Sequence, residues 1–312
     1  MKILIVGAGA TGGAFGARLV DAGRDVTFLV RAKRAEVLAE YGLILDAPDG
    51  RKVHTVRTIT TVEPGDIYDL VVLGLKAPAL ESALKTIRAA IGPNTVILPL
   101  LNGMGHFTTI EQLYPGRTIG GLAKIVATLG PGGVIHQMTP LAALTVGPMR
   151  GRPLNQDLIE TLTVEGFTLS VDQNVLSRLW EKWVFIAAAG IVTCLFRGTI
   201  GNILAAGGRN QILQSIEETE NVASKAGHTV SPESHRDTLA LLTEEGSKFT
   251  SSLYRDLAQG DPVEAEHILG GLSAKAQAMD VSVPLLEATL LQLRTHRVAR
   301  ASNGQKPATD HQ

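Results

Sequence analysis

The chain has a single cysteine among its 312 residues, so it cannot form an internal disulfide. This residue, Cys194, lies in an apolar stretch, where a thiol usually serves as a small buried hydrophobic side chain. The absence of disulfides is compatible with the reducing cytosol. Met1 leads directly into an apolar segment, which leaves no room for a signal peptide. We therefore expect a cytoplasmic protein.

The sequence also lacks an excess of either charge and lacks a long hydrophobic run. Its 29 basic and 30 acidic residues give a net charge of −1, which offers no general attraction to nucleic acid or to anionic membranes. The most apolar run, residues 183–196, is shorter than the ~20 residues that span a bilayer and is typical of a buried helix. The length suits two domains. We expect a globular chain that binds neither nucleic acid nor membranes.

Sequence signatures of several common enzyme classes are missing. The eight histidines show no spacing typical of metal ligands, so we expect no metal site. The chain has no G-x-S-x-G motif and no Walker phosphate loop. These absences disfavour a serine hydrolase and a P-loop enzyme.

The most informative feature that is present is a glycine-rich turn near the first residue. A predicted buried strand at 2–6 leads into Gly7-Ala-Gly-Ala-Thr-Gly12, which has the G-x-G-x-x-G spacing and precedes a predicted helix. The first glycine permits the tight turn, the second lets the backbone approach a pyrophosphate, and the third lets the helix pack on the strand. The helix start offers N–H groups to phosphates. We predict a dinucleotide bound by Gly7, Ala8, Gly9, Ala10, Thr11 and Gly12; the alternative is a glycine-rich turn without a ligand.

The end of the second predicted strand, 25–30, bears on the identity of that dinucleotide. NAD-binding versions carry an acidic residue near this point, which holds the ribose 2′-hydroxyl. Here the strand is followed by Arg31, Lys33 and Arg34. Arg31 is suited to form a planar fork to an adenosine 2′-phosphate, so the pattern favours NADP(H) over NAD(H). The alternative is a solvated basic helix start.

Strand and helix patterns alternate through the first half of the chain, and only helical patterns follow residue 173. Short apolar strands separated by helices are typical of a doubly wound parallel sheet. We predict an α/β Rossmann-type domain at 1–170, an all-α domain at 171–302 and a disordered tail at 303–312. The predicted strands are 2–6, 25–30, 69–75, 94–100, 117–128, 133–138 and 142–146, with a hairpin at 42–56; the predicted helices are 32–41, 78–90, 174–196, 209–226, 234–243, 262–279 and 284–301.

Two polar residues follow buried strands of the predicted sheet. Lys76 comes just after the third strand and Asn102 just after the fourth. Ligands of open α/β sheets lie beyond the carboxyl ends of the strands, so both residues should face the same crevice as Gly9. The alternatives are a surface lysine and a turn-forming asparagine before Gly103.

Two candidate catalytic groups lie in the helical half. Lys182 stands beside a long uncharged helix segment, where partial desolvation lowers a lysine pKa and makes the ammonium a usable acid. The alternative is a lysine at the exposed end of the helix that pairs with Glu181 or another acidic residue. Glu264 occurs in Asp261-Pro-Val-Glu264, which also suits a capping box with Asp261 as N-cap and Glu264 as N3.

These residues together resemble the ketopantoate reductase (2-dehydropantoate 2-reductase) family, and the resemblance runs over about residues 1–290. The matching pieces are Gly7-Ala-Gly-Ala-Thr-Gly12, Arg31, Leu75-Lys76, Asn102-Gly-Met-Gly105, Trp180-Glu-Lys182, Thr250-Ser-Ser-Leu-Tyr-Arg-Asp256 and Glu264. The resemblance implies a Rossmann domain joined to a helical domain, with the active site between them. It also implies a homodimer formed through the helical domain and a place in pantothenate biosynthesis.

The same resemblance implies a role for each site residue. NADPH would be bound by the glycine loop, Arg31, Lys76 and Asn102. Lys182 would protonate the carbonyl oxygen of a 2-oxoacid, while Glu264 binds the substrate hydroxyl and Ser252 meets the substrate carboxylate. Asn102 would also face the substrate.

The chain departs from the family pattern where the substrate should bind. Family members usually carry asparagines at the positions held here by Ile186, Gly190 and Phe249. These three residues make the expected pocket more apolar, which favours a more hydrophobic 2-oxoacid than ketopantoate. The alternatives are an imine substrate and a non-catalytic NADP(H) sensor; retention of Lys182 and Glu264 favours an enzyme.

Overall fold

The computed structural model describes residues 1–149 and 151–304 and divides the chain into two compact units, Met1–Leu179 and a second that begins at Trp180. The division falls later than the predicted boundary at 170 for two reasons. A strand at Thr168–Val171 adds to a sheet of the first unit, and Val175 and Leu179 pack in a hydrophobic cluster of that unit. Of the predicted tail, residues 303 and 304 end the last helix, and the remainder lies outside the described residues.

The first unit has a five-stranded parallel sheet, as predicted for a Rossmann-type domain, and its strands lie in the order Arg57–Ile59, Asp25–Leu29, Lys2–Val6, Tyr68–Leu73 and Ile91–Pro99. Two of its inner strands contain continuous apolar runs, at residues 3–6 and 70–73, typical of strands that are buried on both faces. Val6 lies opposite both Leu29 and Leu73, and Leu73 lies opposite Pro99, so four carboxyl ends are level. The unit's strands are β1 (Lys2–Val6), β2 (Asp25–Leu29), β3 (Leu43–Ala47), β4 (Gly50–His54), β5 (Arg57–Ile59), β6 (Tyr68–Leu73), β7 (Ile91–Pro99), β8 (Gly120–Leu129), β9 (Ile135–Gly147) and β10 (Thr168–Val171), and its helices are α1 (Ala10–Asp21), α2 (Ala32–Tyr41), α3 (Leu80–Thr86), α4 (Gly105–Leu113) and α5 (Gln156–Leu162).

A second sheet of the same unit has the order β10–β9–β3–β4, with β8 paired antiparallel to β9. The prediction of two strands at 133–138 and 142–146 was wrong, because β9 runs through both. The β8 register shifts between Ile125 and Ala127, and this bulge accommodates Pro140 within β9. The predicted helix at 78–90 is shorter than expected: α3 is flanked by single 3-10 segments at Ala77–Ala79 and Ile87–Ala90.

The second unit is helical, and among the described residues no helix is long and apolar enough to cross a membrane. Residues 187–194 of its first helix are all buried, and Cys194 is fully buried as expected. The buried carboxylate of Glu218 accepts the backbone N–H groups of Leu285 and Leu286 and so caps the last helix. The helices are α6 (Val175–Leu195), which begins in the first unit, α7 (Ile200–Ala205), α8 (Arg209–Lys225), α9 (Pro232–Leu242), α10 (Ser252–Gln259), α11 (Gly271–Ala278) and α12 (Pro284–Gly304).

The helix predicted at 262–279 begins later than expected, and the capping box predicted for Asp261 and Glu264 was wrong. Residues 261–264 are not helical, and a π-helical turn, Glu266–Gly270, leads into α11. The reason lies in the preceding helix. Gly260 ends α10 in the left-handed conformation, and the Asp261 N–H donates to the Asp256 carbonyl, so Asp261 belongs to the C-cap of α10.

Candidate active site

The glycine loop between β1 and α1 leaves backbone N–H groups exposed to a ligand. Gly7 adopts a φ of +97°, which requires glycine, and its N–H donates to the Leu29 carbonyl at 3.0 Å. The first hydrogen bond of α1 runs from the Gly13 N–H to the Gly9 carbonyl at 2.8 Å. The N–H groups of the first turn, those of Ala10, Thr11 and Gly12, therefore lie outside the helical ladder.

Two glycines let the helix approach the sheet closely. A Cβ on Gly12 would collide with the Gly7 carbonyl oxygen and would lie 3.1 Å from the Gly74 Cα. A Cβ on Gly74, at the end of β6, would lie 2.5 Å from the Gly12 Cα. Sequence reasoning missed Gly74, although it stands two residues before Lys76.

The space over Gly9 is open, in contrast to that over Gly12. A Cβ on Gly9 would meet one atom within 4 Å, the Gly74 carbonyl oxygen at 3.9 Å. An open glycine backbone beside the first turn of a helix is the surface that a pyrophosphate group needs. The residues of this loop therefore fit a dinucleotide cofactor.

The three basic residues after β2 have different surroundings. Arg31 is the N-cap residue of α2 and is exposed, and Lys33 is exposed as well. Arg34 is half-buried and donates to the Ala8 carbonyl of the glycine loop. Arg31 and Lys33 are thus the cations of this group that face solvent beside the end of β2.

Lys76 and Asn102 follow neighbouring strands at the carboxyl edge of the parallel sheet. The Leu100 N–H donates to the Leu73 carbonyl at 3.0 Å, so the two chain segments leave the sheet side by side. Lys76 is exposed at the start of a 3-10 turn, and Asn102 is half-buried before Gly103, whose φ is +78°. Both residues share this edge with the glycine loop, as the parallel topology predicts.

In the helical unit, one hydrogen bond joins the segments that carry Lys182 and Glu264. The buried indole N–H of Trp183 donates to the Ile268 carbonyl at 2.8 Å. The Ile268 N–H donates in turn to the Glu264 carbonyl at 3.2 Å, so Glu264 lies one turn before this anchor. Lys182 and Glu264 are both half-buried. The π-helical turn that follows Glu264 is a feature often found at functional sites.

Glu181, which the sequence offers as a partner of Lys182, has a structural contact of its own. Its carboxylate accepts the Ser231 N–H at 3.1 Å, where α9 begins. This hydrogen bond stabilises the start of α9. Adjacent residues of a helix point in different directions, so Glu181 and Lys182 extend from different sides of α6.

The start of α10 is held on α6 by buried hydroxyl groups. Thr193 Oγ1 donates to the Ala189 carbonyl at 2.6 Å and lies 2.7 Å from Ser251 Oγ. Ser251 Oγ accepts the Tyr254 N–H as the N-cap of α10. Ser252, the first residue of α10, is exposed next to this cap. Sequence reasoning missed Thr193, because a threonine in an apolar run carries no distinguishing signal.

The three residues that replace asparagines have different environments. Ile186 lies one turn after Lys182 and is half-buried, and the Phe249 ring lies 6.1 Å from that of Phe185. Gly190 is buried, and a Cβ there would lie 2.7 Å from Leu253 Cδ1. The space beside Gly190 is therefore taken up by the apolar side chain of Leu253.

Comparison with known proteins identifies the family. Residues 3–151 match the family described as ketopantoate reductase PanE/ApbA, and residues 174–297 match its C-terminal domain. The chain is 31% identical to the uncharacterized oxidoreductase YkpB of Bacillus subtilis (strain 168), over 96% of this chain and 100% of that protein. It is 27% identical to the 2-dehydropantoate 2-reductase of Pyrococcus horikoshii, over 91% of this chain and 94% of that one.

A solved structure supports the same fold. The ternary complex of D-mandelate dehydrogenase with NADH and anilino(oxo)acetate superimposes with a TM-score of 0.86 at 23% identity, covering 95% of this chain and 97% of that one. The family matches together span both units of the chain. The chain belongs to the ketopantoate reductase family and is an oxidoreductase that acts on CH–OH groups with a nicotinamide cofactor.

Proposed function

We propose that the protein reduces a 2-oxoacid to the 2-hydroxy acid with NADPH, and that the substrate side chain is more hydrophobic than that of ketopantoate. The observation that carries this proposal is the joining of the Lys182 and Glu264 segments through Trp183 and Ile268. An ammonium and a carboxylate on contacting segments supply an acid and a hydrogen-bond acceptor for one substrate.

Each residue has a defined task in this reaction. When bound, NADPH supplies a hydride to the carbonyl carbon of the substrate. Lys182 donates a proton to the carbonyl oxygen, so the product is a neutral alcohol group beside the carboxylate. Glu264 accepts the hydrogen bond of a substrate hydroxyl or of the new alcohol. Ser252 donates to the substrate carboxylate from the start of α10.

The cofactor tasks fall to residues of the first unit. The first-turn N–H groups of α1 bind the pyrophosphate, with Gly9 leaving room for its approach. Arg31 binds the adenosine 2′-phosphate, since the end of β2 carries this exposed cation and no carboxylate. Lys76 and Asn102 contact the cofactor from the ends of β6 and β7, and Asn102 also meets the substrate.

The preference for an apolar side chain rests on the residues at the positions where family members usually carry asparagines. Ile186 and Phe249 supply apolar surface, and Leu253 fills the space beside Gly190. A hydroxylated substrate would leave its polar groups unpaired there, at ~1–3 kcal/mol each. An apolar group would gain ~0.8 kcal/mol per buried methylene. The structural neighbour named D-mandelate dehydrogenase is compatible with this idea, because mandelate is an aromatic 2-hydroxy acid.

A substrate panel tests the proposal. We expect kcat/KM to be higher for 2-oxoisovalerate, 2-oxoisocaproate or phenylpyruvate than for ketopantoate. A ketopantoate reaction at ~10⁴ M⁻¹s⁻¹ or above, with the apolar acids far behind, would overturn the apolar preference and support a role in pantothenate biosynthesis. Turnover of imines alone would identify the alternative substrate class. NADPH binding without oxidation by any compound would favour the sensor.

We also propose a homodimer formed through the helical unit and a cytoplasmic location. The dimer is supported by the exposed apolar side chains of Leu291 and Val298, which lie two turns apart on α12. Sedimentation of the purified protein, and of the Leu291→Glu variant, tests the dimer. Cell fractionation tests the location.

A further inference from the structure

Arg34 connects three segments of the first unit. It lies in the first turn of α2, its Nε donates to the Ala8 carbonyl at 3.2 Å, and one terminal nitrogen donates to the Gly133 carbonyl at 3.0 Å. Ala8 belongs to the glycine loop, and Gly133 ends the 3-10 turn between β8 and β9. Burial lowers the pKa of Arg34, but a guanidinium stays charged at neutral pH.

The turn between β8 and β9 is shaped to receive this guanidinium. Gly133 has a φ of +77°, and a Cβ at this position would collide with a terminal nitrogen of Arg34. The backbone conformation favours glycine, and any side chain at this position would displace the Arg34 guanidinium. The other terminal nitrogen of Arg34 is shielded from solvent and has no hydrogen-bond partner among the described residues. Arg34 is thus held inward, unlike the exposed Arg31.

The contact with Ala8 determines the orientation of a peptide group in the glycine loop. A trans peptide is planar, so its carbonyl and the following N–H point in opposite directions. When Arg34 holds the Ala8 carbonyl, the Gly9 N–H of the same peptide points away from Arg34. The next carbonyl, that of Gly9, accepts the Gly13 N–H within α1. Two successive carbonyls are therefore occupied by protein donors, away from a bound phosphate.

We propose that Arg34 is a positioning residue for cofactor binding, which holds the Ala8 carbonyl so that the loop N–H groups are available to the pyrophosphate. The inference rests on the proposed use of this loop by a nicotinamide dinucleotide. Arg34 acts on the pyrophosphate, which NADPH and NADH share. Arg31 acts on the 2′-phosphate, which NADPH alone carries. The two arginines therefore affect different parts of one ligand.

Binding of three ligands to two variants tests the proposal. The variants are Arg34→Met, which keeps the aliphatic stem, and Arg31→Ala; the ligands are NADPH, NADH and adenosine 2′-phosphate, which lacks the pyrophosphate. Arg34→Met should raise the Kd of NADPH and NADH by the same factor, about tenfold, the scale of one charge-assisted hydrogen bond. It should leave the Kd of adenosine 2′-phosphate unchanged. Arg31→Ala should raise the Kd of NADPH and of adenosine 2′-phosphate and leave the Kd of NADH unchanged.

Other outcomes would overturn the proposal. If Arg34→Met weakens the binding of NADPH and adenosine 2′-phosphate and leaves the Kd of NADH unchanged, Arg34 is a ligand of the 2′-phosphate. Unchanged affinity for all three would make the contact irrelevant to binding, and equal loss for all three with a lower Tm would make it a general fold contact. Arg34→Gln, which keeps one donor, carries the same comparison if the methionine variant does not fold. These binding measurements contain no 2-oxoacid. Failure of the Arg34 proposal is therefore distinguishable from failure of the proposed reductase function, which the substrate panel tests.

Discussion

Arg31 is the residue that should decide between the two nicotinamide cofactors. It stands exposed at the N-cap of α2, at the end of a strand that carries no carboxylate for a ribose 2′-hydroxyl. We expect NADPH to bind at least ~10-fold more tightly than NADH, a difference of ~1.4 kcal/mol. Arg31→Ala should erase most of this preference in equilibrium titrations. Equal dissociation constants in the unmutated protein would contradict the assignment.

Lys182 should matter for turnover and little for cofactor affinity. Removal of a positioned general acid lowers kcat by ~10²-fold or more, and we expect this for Lys182→Ala. The exposed Lys225 of α8 offers a matched control in the same unit, and Lys225→Ala should keep full activity. Steady-state kinetics at saturating NADPH measure both. Turnover of the Lys182 variant within about threefold of the parent would mean that the proton comes from elsewhere.

At the scale of elements, the packing of α10 on α6 limits what residue 190 can be. A Cβ on Gly190 would lie 2.7 Å from Leu253 Cδ1, and both residues are buried. Gly190→Asn should therefore lower the free energy of unfolding by ~1–3 kcal/mol through overpacking. Restoring an asparagine at this position alone should also fail to improve ketopantoate reduction, because the buried Leu253 side chain must shift to admit it.

A double-mutant cycle with Leu253→Ala tests this packing. Leu253→Ala alone should cost ~2–5 kcal/mol by leaving a cavity. The double variant should lose less than the sum of the two single changes, since the asparagine then occupies the vacated volume. Urea unfolding of the four proteins measures the coupling. Additive losses would show that Leu253 moves aside without cost and that residue 190 is not restricted by α10.

The elements that sequence patterns predict well are those whose boundaries depend on local chemistry. The glycine spacing and apolar runs place β1, α1, β2 and α2 correctly, and the predicted bounds of α2 match the observed Ala32–Tyr41. The start of the helix after Glu264 could not be predicted in this way. Asp261 suits both the N-cap of a following helix and the C-cap region of α10. In the structure it belongs to the C-cap of α10, and a pattern that considers one helix at a time does not reveal this.

At the scale of the whole molecule, the contacts that organise the candidate site join residues far apart in sequence. Trp183 with Ile268, Thr193 with Ser251, and Arg34 with Gly133 are such pairs. The apolar run 183–196 predicts a buried helix, but it does not indicate the partners of Trp183 and Thr193. Lys182, Glu264 and the glycine loop are predicted as site residues because they resemble a family pattern, and this stays a prediction; the groups that hold these segments have no such signal in the sequence.

The single cysteine and both tryptophans belong to the helical unit, which makes this unit observable by itself during unfolding. Burial raises the pKa of Cys194 to about 12, so its thiolate fraction at pH 8 is roughly 10⁻⁴, far below that of a free thiol. We expect no alkylation of the folded protein within minutes and complete alkylation in urea.

Since Trp180 and Trp183 report on the same unit, the labelling midpoint should coincide with the tryptophan fluorescence midpoint. Circular dichroism also reports on the first unit, so a separate unfolding transition of that unit would be visible by this method alone. Two results would contradict a closed core around Cys194: labelling in native buffer at the rate of an unfolded thiol, or labelling at urea concentrations well below those that change the tryptophan fluorescence. Cys194→Ala, which has no thiol to label, is the control.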